Sequence, residues 1–148
     1  MASVFTRIID GELPARFVWR DPEVVAFLSI NPISRGHTLV VPRAEVDHWV
    51  DLEEALWRRC NEVALRIGRA IQRAFDPPRV GQMIAGFEVP HTHVHVLQIH
   101  DLGDLDFSKA ASDPDPAWMD DAAERVRQAL HELGHAEEAG DPFTGEQR

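Results

Sequence analysis

The sequence predicts an α+β protein with about five antiparallel strands, one long helix packed on them and a helical C-terminal extension. Short stretches rich in β-branched residues follow one another with brief turns between them. Such turns favour hairpins over the long crossovers that parallel strands need. One later stretch repeats its apolar residues at helical spacing instead, which indicates a helix that covers the sheet. Together these patterns predict two packed layers around one core.

The strands and a short first helix follow from apolar spacing and turn residues. Residues 4–9 place apolar side chains together on one or two helical turns, which Asp10 and Gly11 end. Asparagine and proline turns separate the stretches that come next. The predicted strands are residues 16–20, 24–30, 37–42, 80–85 and 93–99.

The long helix is predicted over residues 52–75, where apolar residues alternate with charged ones at helical spacing. Two prolines after Asp76 end it, because proline removes a backbone donor and clashes with the preceding turn. Cys60 lies on the apolar stripe, so a buried and inert thiol is expected there.

A last helix is predicted over residues 116–133, because Asp115 is a good N-cap and Pro116 suits the first helical position. The chain is therefore divided into a first domain, residues 1–104, and an acidic helical extension, residues 105–148, packed on or beside it. The last eight residues are expected to form a mobile tail.

Composition and charge restrict the partners. The chain of 148 residues carries a formal charge of −10, which repels nucleic acid backbones and argues against long polynucleotides. No apolar run approaches the roughly 18 residues of a membrane span, so no membrane association is expected. The single cysteine fits a reducing compartment, which predicts a cytoplasmic protein.

Three histidines, His91, His93 and His95, alternate with other residues in a predicted strand. Alternate side chains of a strand share one face, so the three imidazoles would follow one another at intervals of about 7 Å. Val94 and Val96 would then point to the opposite side, into a core. Three histidines in this arrangement indicate a functional site rather than ordinary surface residues.

Two chemistries compete for this cluster. Imidazole is a common zinc ligand, but only His37, His48 and His100 are available as further ligands, and no carboxylate lies within the triplet. The alternative is phosphoryl-group transfer, in which one neutral imidazole attacks phosphorus and another donates a hydrogen bond or a proton. The residues alone leave both open.

The triplet and its surroundings resemble the histidine-triad (HIT) family. Residues 91–97, His-Thr-His-Val-His-Val-Leu, match the family signature if Thr92 is accepted at an apolar position. The preceding loop, residues 86–90, is similar to that of many bacterial members. Residues 36–43 resemble the block that carries a fourth histidine, and residues 5–15 and 26–32 resemble the opening blocks of such proteins. The resemblance extends over residues 4–100 and implies the HIT-like fold.

The resemblance implies a role for each histidine. His93 would be the nucleophile and form a covalent nucleotidyl-histidine that water resolves. His95 would contact the phosphate and the bridging oxygen, while His91 and His37 would support the hydrogen bonding and protonation of the cluster. The backbone N–H of Val89 would face a non-bridging phosphate oxygen.

The resemblance also implies the nucleotide-binding residues. Phe5, Ile8, Phe27 and Ile30 would form an apolar slot for the base, with Leu28 and Ser29 near the ribose. Plain core packing remains the alternative for each apolar residue.

Four positions depart from the family pattern. Ser29 stands where the family usually has aspartate, which predicts weak discrimination between ribo- and deoxyribonucleotides, because one hydroxyl accepts less than a carboxylate. Phe87 and Glu88 lie where many members carry glutamine or serine, and the charge of Glu88 would disfavour an anionic leaving group. His100 follows the triad out of phase with His95 and is interpreted as a surface residue.

The favoured function is hydrolysis or transfer at the α-phosphate of an AMP-phosphoramidate, a nucleotidyl anhydride or a dinucleoside polyphosphate, with no cofactor and no metal. A purine-nucleotide-binding regulatory module with little turnover is the alternative, and a metallohydrolase is the third hypothesis. A homodimer is expected through residues 52–75 and the neighbouring strand edge, since family members commonly form dimers. The competing possibility is that the extension covers that surface.

Overall fold

The predicted α+β architecture is confirmed by the computed structural model, which describes residues 1–140; the expected mobile tail lies outside the described residues. Five strands form one antiparallel sheet in the order β1-β2-β3-β5-β4. The strands are β1 Phe17–Arg20, β2 Val24–Leu28, β3 Thr38–Pro42, β4 Arg79–Met83 and β5 Val94–Ile99. The helices are α1 Val4–Ile9, α2 Glu54–Phe75, α3 Pro116–Glu132 and α4 Ala136–Ala139, with 3-10 turns at Trp49–Asp51, Leu102–Asp104 and Phe107–Lys109.

The ends of the helices follow local chemistry. The Ser3 hydroxyl accepts a hydrogen bond from the Thr6 N–H and so caps α1. At the end of α2, Asp76 adopts a left-handed conformation with φ of 48° before the two prolines. The Asp115 carboxylate caps α3 as the sequence predicted. No helix within residues 1–140 combines the length and the apolarity needed to cross a bilayer.

Strands β2, β3 and β5 are buried on both faces, and strand alternation sorts their side chains between the two faces. On β2, Ala26 and Leu28 join the core under α2, whereas Val25 and Phe27 join a second apolar cluster with Phe5 of α1. The predicted inward orientation of Val94 and Val96 on β5 is confirmed, because both belong to the core under α2. The α1 side of the sheet is therefore the side on which His95 lies.

Helices α3 and α4 continue the core that α2 begins. Apolar side chains of α3, among them Val126 and Leu130, belong to the same buried cluster as those of α2. The buried Arg127 donates from Nε to the Phe17 carbonyl of β1 at 2.7 Å. The domain boundary expected at residue 104 stays a prediction, and residues on both sides of it share this core.

The prediction for the start of β5 was wrong. The strand begins at Val94, so His95 is the only histidine of the triplet inside it. The preceding residues bond elsewhere: Thr92 donates its N–H and its hydroxyl to the Val46 carbonyl, both at 2.8 Å. His93 and His95 line the same cavity, with ring centroids 5.0 Å apart, whereas His91 does not line it.

Candidate active site

A cavity of about 470 Å³ opens on the α1 side of the sheet. It is lined by all the predicted site residues except His91, namely Phe5, Ile8, Phe27, Leu28, Ser29, Ile30, His37, Val89, His93 and His95. This volume lies within the range of small-molecule sites. The structure thus brings together residues that are spread over ninety positions of the chain, from Phe5 to His95.

The apolar end of the cavity is built around Phe5. Its ring meets the Phe27 ring edge-on at 5.5 Å and the His93 imidazole at 4.9 Å between centroids. Two predicted nucleotide-binding residues, Ile30 of the slot and Leu28 near the ribose, have side chains that lie away from the apolar end. Ile30 is 72% exposed and lies at the mouth, and the Leu28 side chain packs into the core under α2, so only its main chain can face a ligand.

Hydrogen bonding fixes the tautomer of His93. Its Nδ1 lies 2.7 Å from the His91 carbonyl oxygen, which can only accept, so Nδ1 carries the proton. The Nε2 atom therefore keeps its lone pair, and it has no hydrogen-bond partner among the described residues. Burial lowers the pKa of His93 below its usual 6.5, which favours the neutral form. A neutral imidazole with a free lone pair is the form that attacks an electrophile.

A second chain of hydrogen bonds fixes the tautomer of His95. The Ile33 N–H donates to His37 Nδ1 at 3.0 Å, so His37 must be protonated on Nε2. His37 Nε2 then donates to His95 Nδ1 at 2.9 Å, which leaves the proton of His95 on Nε2. His95 is thereby a hydrogen-bond donor, beside the lone pair of His93.

Both imidazoles of this chain are held neutral. Burial lowers the pKa of His37 to about 4. Burial, followed by the proximity of His37 and His93, lowers the pKa of His95 to about 3. Two protonated rings so close together and so far from water would be strongly disfavoured.

His91 supports the site from outside the cavity. Its Nε2 donates to the Pro42 carbonyl at 2.7 Å, so its Nδ1 accepts from the Ser3 hydroxyl, also at 2.7 Å. Glu45 accepts from the Ser3 N–H and from the Thr6 hydroxyl, each at 2.6 Å. This network fixes α1, and hence Phe5, beside the His91 carbonyl that orients His93.

The cavity carries little charge. Glu88, exposed at its mouth, is the one carboxylate among the described lining residues, and no lysine or arginine lines it. The phosphate ligands available are therefore neutral donors rather than fixed cations.

Ser29 lines the cavity, but its hydroxyl already has a local partner. The Ser29 Oγ accepts from the Asn31 N–H at 3.2 Å, which leaves its proton free to donate. The weak ribose discrimination expected from Ser29 stays a prediction. His100 is exposed, which confirms its interpretation as a surface residue.

Sequence reasoning missed one wall of the cavity. Phe107, Ala110, Ala111 and Ser112 from the extension line it, and the Phe107 ring meets the His95 ring edge-on at 4.9 Å. These residues lie beyond the family motifs in a segment without apolar periodicity, so no pattern marked them. The buried thiol of Cys60 matches its prediction, and burial raises its pKa to about 12.

The residues do not fit a metal. Within residues 1–140, no group of three or more His, Cys, Asp or Glu side chains is placed to hold an ion. In the histidine cluster, His37 and His91 use both ring nitrogens in hydrogen bonds. Only the Nε2 atoms of His93 and His95 remain, and two donors fall short of the three or four protein ligands of a zinc site.

Comparison with known proteins identifies the family. The HIT domain profile matches residues 10–102. "Protein hit" of Bacillus subtilis is 31% identical over 106 residues, which cover 68% of this chain and 73% of that protein. The adenylylsulfatase HINT3 of Arabidopsis thaliana is 32% identical over 103 residues, 64% of this chain but only 50% of the relative.

A solved structure agrees over nearly the whole length. A zinc-bound histidine triad family protein from Mycobacterium smegmatis superimposes with a TM-score of 0.75 at 27% identity, covering 92% of this chain and 98% of that one. The similarity therefore reaches past the profile match into the extension. The chain belongs to the histidine-triad (HIT) family of nucleotide-binding hydrolases and transferases.

Proposed function

We propose that this protein hydrolyses a bond at the α-phosphate of a nucleotide derivative through a covalent nucleotidyl-histidine on His93. The observation that carries the proposal is the hydrogen bond from His93 Nδ1 to the His91 carbonyl. It leaves the Nε2 lone pair free in a cavity with an apolar end suited to a base. The name of the Arabidopsis relative, adenylylsulfatase, supports an adenylyl group as the part that His93 accepts.

The reaction proceeds in two displacements. His93 Nε2 attacks the α-phosphorus, and the bond from phosphorus to the leaving group breaks with its electron pair going to the leaving group. The His95 Nε2–H donates a hydrogen bond to the charge that develops there, and water supplies the proton that completes the departing group. A water molecule then attacks the phosphorus and the bond to His93 breaks, which releases the nucleoside monophosphate. The proton that this water gives up neutralises the hydroxide left when water protonated the departing group.

The charge of the cavity favours an uncharged leaving group. Glu88 at the mouth repels a departing anion, and no lysine or arginine of the described lining offsets it. A second nucleotide leaves as an anion, whereas the amine of a phosphoramidate leaves neutral. We therefore rank nucleoside phosphoramidates above dinucleoside polyphosphates as substrates.

We also propose that the protein works in the cytoplasm. The single cysteine is a buried, unpaired thiol. Such cysteine usage fits a reducing compartment.

A homodimer through α2 and β4 is the proposed assembly. Strand β4 pairs with β5 on one side and lies at the edge of the sheet on the other. Beside it, Leu65 of α2 is 53% exposed and borders a groove between α2 and β4. The extension helix α3 packs on α2 and β1, at the opposite end of the sheet, and so leaves this edge uncovered.

The first prediction concerns His93. His93→Ala removes the proposed nucleophile, so hydrolysis of adenosine 5′-phosphoramidate is expected to fall by several orders of magnitude while AMP still binds. Each ~1.4 kcal/mol added to the activation barrier slows the reaction tenfold. The exposed His100→Ala serves as the matched control and should keep full activity. Steady-state kinetics and calorimetric AMP titration measure both.

Three results separate the hypotheses. Near wild-type turnover in His93→Ala contradicts the covalent route. AMP binding without turnover in the native protein supports the regulatory module. Dialysis against a chelator should change nothing, and activity that returns only with stoichiometric zinc supports a metallohydrolase.

The second prediction is a pH dependence of stability. The folded state holds His37 with a pKa of about 4, whereas the unfolded chain titrates near 6.5, so the unfolded chain binds the proton first. The stability that His37 contributes by staying neutral in the folded state is therefore complete above pH 6.5 and is lost as the pH falls towards 4. Between pH 7.5 and pH 5, the free energy of unfolding should fall by about 2 kcal/mol more in the native protein than in His37→Gln.

Urea unfolding at the two pH values measures this difference. His100→Gln is the control, because its exposed ring should leave the fall unchanged. Equal falls in the native protein and in His37→Gln would show that His37 is not buried in its neutral form.

The third prediction tests the dimer. Light scattering at micromolar concentration should give about twice the 16.7 kDa chain mass. Leu65→Glu should produce monomers because it places a charge in the proposed interface. Leu102→Glu alters an equally apolar residue that is 86% exposed elsewhere, and should remain a dimer. A native monomer contradicts the proposal.

A further inference from the structure

The segment of residues 105–112, which follows the last strand, is attached to the HIT fold at both ends. At its start, Leu105 lies directly over β4, since a Cβ atom on Gly81 would meet Leu105 Cδ2 at 3.2 Å. At its far end, the Ala111 N–H donates to the Pro32 carbonyl, and the Asn31 side chain donates to the Ala111 carbonyl, both at 2.9 Å. The segment therefore spans from the sheet to the loop after β2.

The conformation between these attachments is held locally. The Asp106 carboxylate accepts from the Ser108 N–H at 2.9 Å and starts the 3-10 turn Phe107–Lys109. Lys109 pairs with Asp104 at 3.3 Å. These contacts fix the position from which the Phe107 side chain extends towards the cavity.

Phe107 lies against the residue that is proposed to assist the leaving group. Its ring centroid is 4.9 Å from that of His95, in an edge-on arrangement. The Phe107 side chain lines the cavity and remains 42% exposed, so part of the ring is open to a ligand. His37 occupies Nδ1 of His95, so a substrate can meet His95 only at Nε2, in the same cavity that Phe107 lines.

We infer that residues 105–112 form a specificity wall of the nucleotide site, and that Phe107 restricts the site to small leaving groups. The inference rests on the proposed function, in which His95 faces the bond that breaks. A leaving group attached to that bond must pass the Phe107 ring. Ammonia or a short amine passes it freely, whereas a bicyclic amine meets the ring of a residue whose backbone is held on both sides.

Two uncharged leaving groups of different size test the inference. Adenosine 5′-phosphoramidate releases ammonia, and the tryptamine phosphoramidate of AMP releases a bulky amine. Because neither leaving group is an anion, repulsion by Glu88 does not distinguish the two substrates. The native protein should prefer the small substrate in kcat/KM. Phe107→Ala should raise the ratio of kcat/KM for the bulky substrate to kcat/KM for the small one about tenfold. An effect of about this size is produced when a pocket gains or loses room for one methylene group.

Two further variants exclude a general loss of structure. Phe107→Leu keeps most of the apolar bulk and should keep most of the preference. Leu102→Ala changes an exposed residue of the preceding 3-10 turn that lies outside the cavity lining, and should leave the ratio unchanged. Thermal unfolding of each variant confirms that it is folded.

The outcomes distinguish this inference from the function on which it rests. If Phe107→Ala cleaves both substrates with the same ratio of kcat/KM as the native protein, the inference about the specificity wall is wrong and the proposed function stands. A selective loss of the bulky substrate overturns the inference as well, since Phe107 would then attract the leaving group. If the native protein cleaves neither compound, the proposed preference for phosphoramidates fails. Equilibrium binding still decides the inference in that case: Phe107→Ala must tighten binding of the bulky compound and not of the small one.

Discussion

The hydrogen bond from the Ile33 N–H to His37 decides the chemistry of the site. A backbone N–H can only donate, so it forces the proton of His37 to the far side of the ring and, through His37, the proton of His95 to Nε2. The chain of donors therefore begins at a main-chain atom whose protonation never changes. Burial lowers the pKa of both imidazoles, so neither gains a second proton near neutral pH.

The main chain also fixes the tautomer of His93, but through a carbonyl acceptor instead of an N–H donor. The acceptor behind it is the His91 carbonyl, so its proton stays at the back and its lone pair remains free. The position of that carbonyl depends on the bonds from His91 to Pro42 and Ser3, which link the end of β3 to the start of α1. Donor and nucleophile thus lie side by side, each fixed by the main chain, with no charged residue required between them.

The sequence allowed the sheet, the long helix and the last helix to be predicted because each carries a spacing or a cap that local physics dictates, as Asp115 shows. His93, His95 and His37 were found through motifs. The predicted start of the last strand at His93 was wrong because Thr92, just before it, bonds to the loop at Val46, a tertiary contact that no local pattern encodes. Phe107 was missed for the same reason: only the folded chain places it on His95.

The central claim is that three ring tautomers are fixed at neutral pH, and ring-nitrogen NMR tests it most directly. In ¹⁵N-labelled protein at pH 7, with assignments from single histidine substitutions, His93 should be protonated at Nδ1, with the shift of an unprotonated nitrogen at Nε2. His37 and His95 should both be protonated at Nε2. A proton on Nε2 of His93, or a doubly protonated His95 at this pH, would contradict the account.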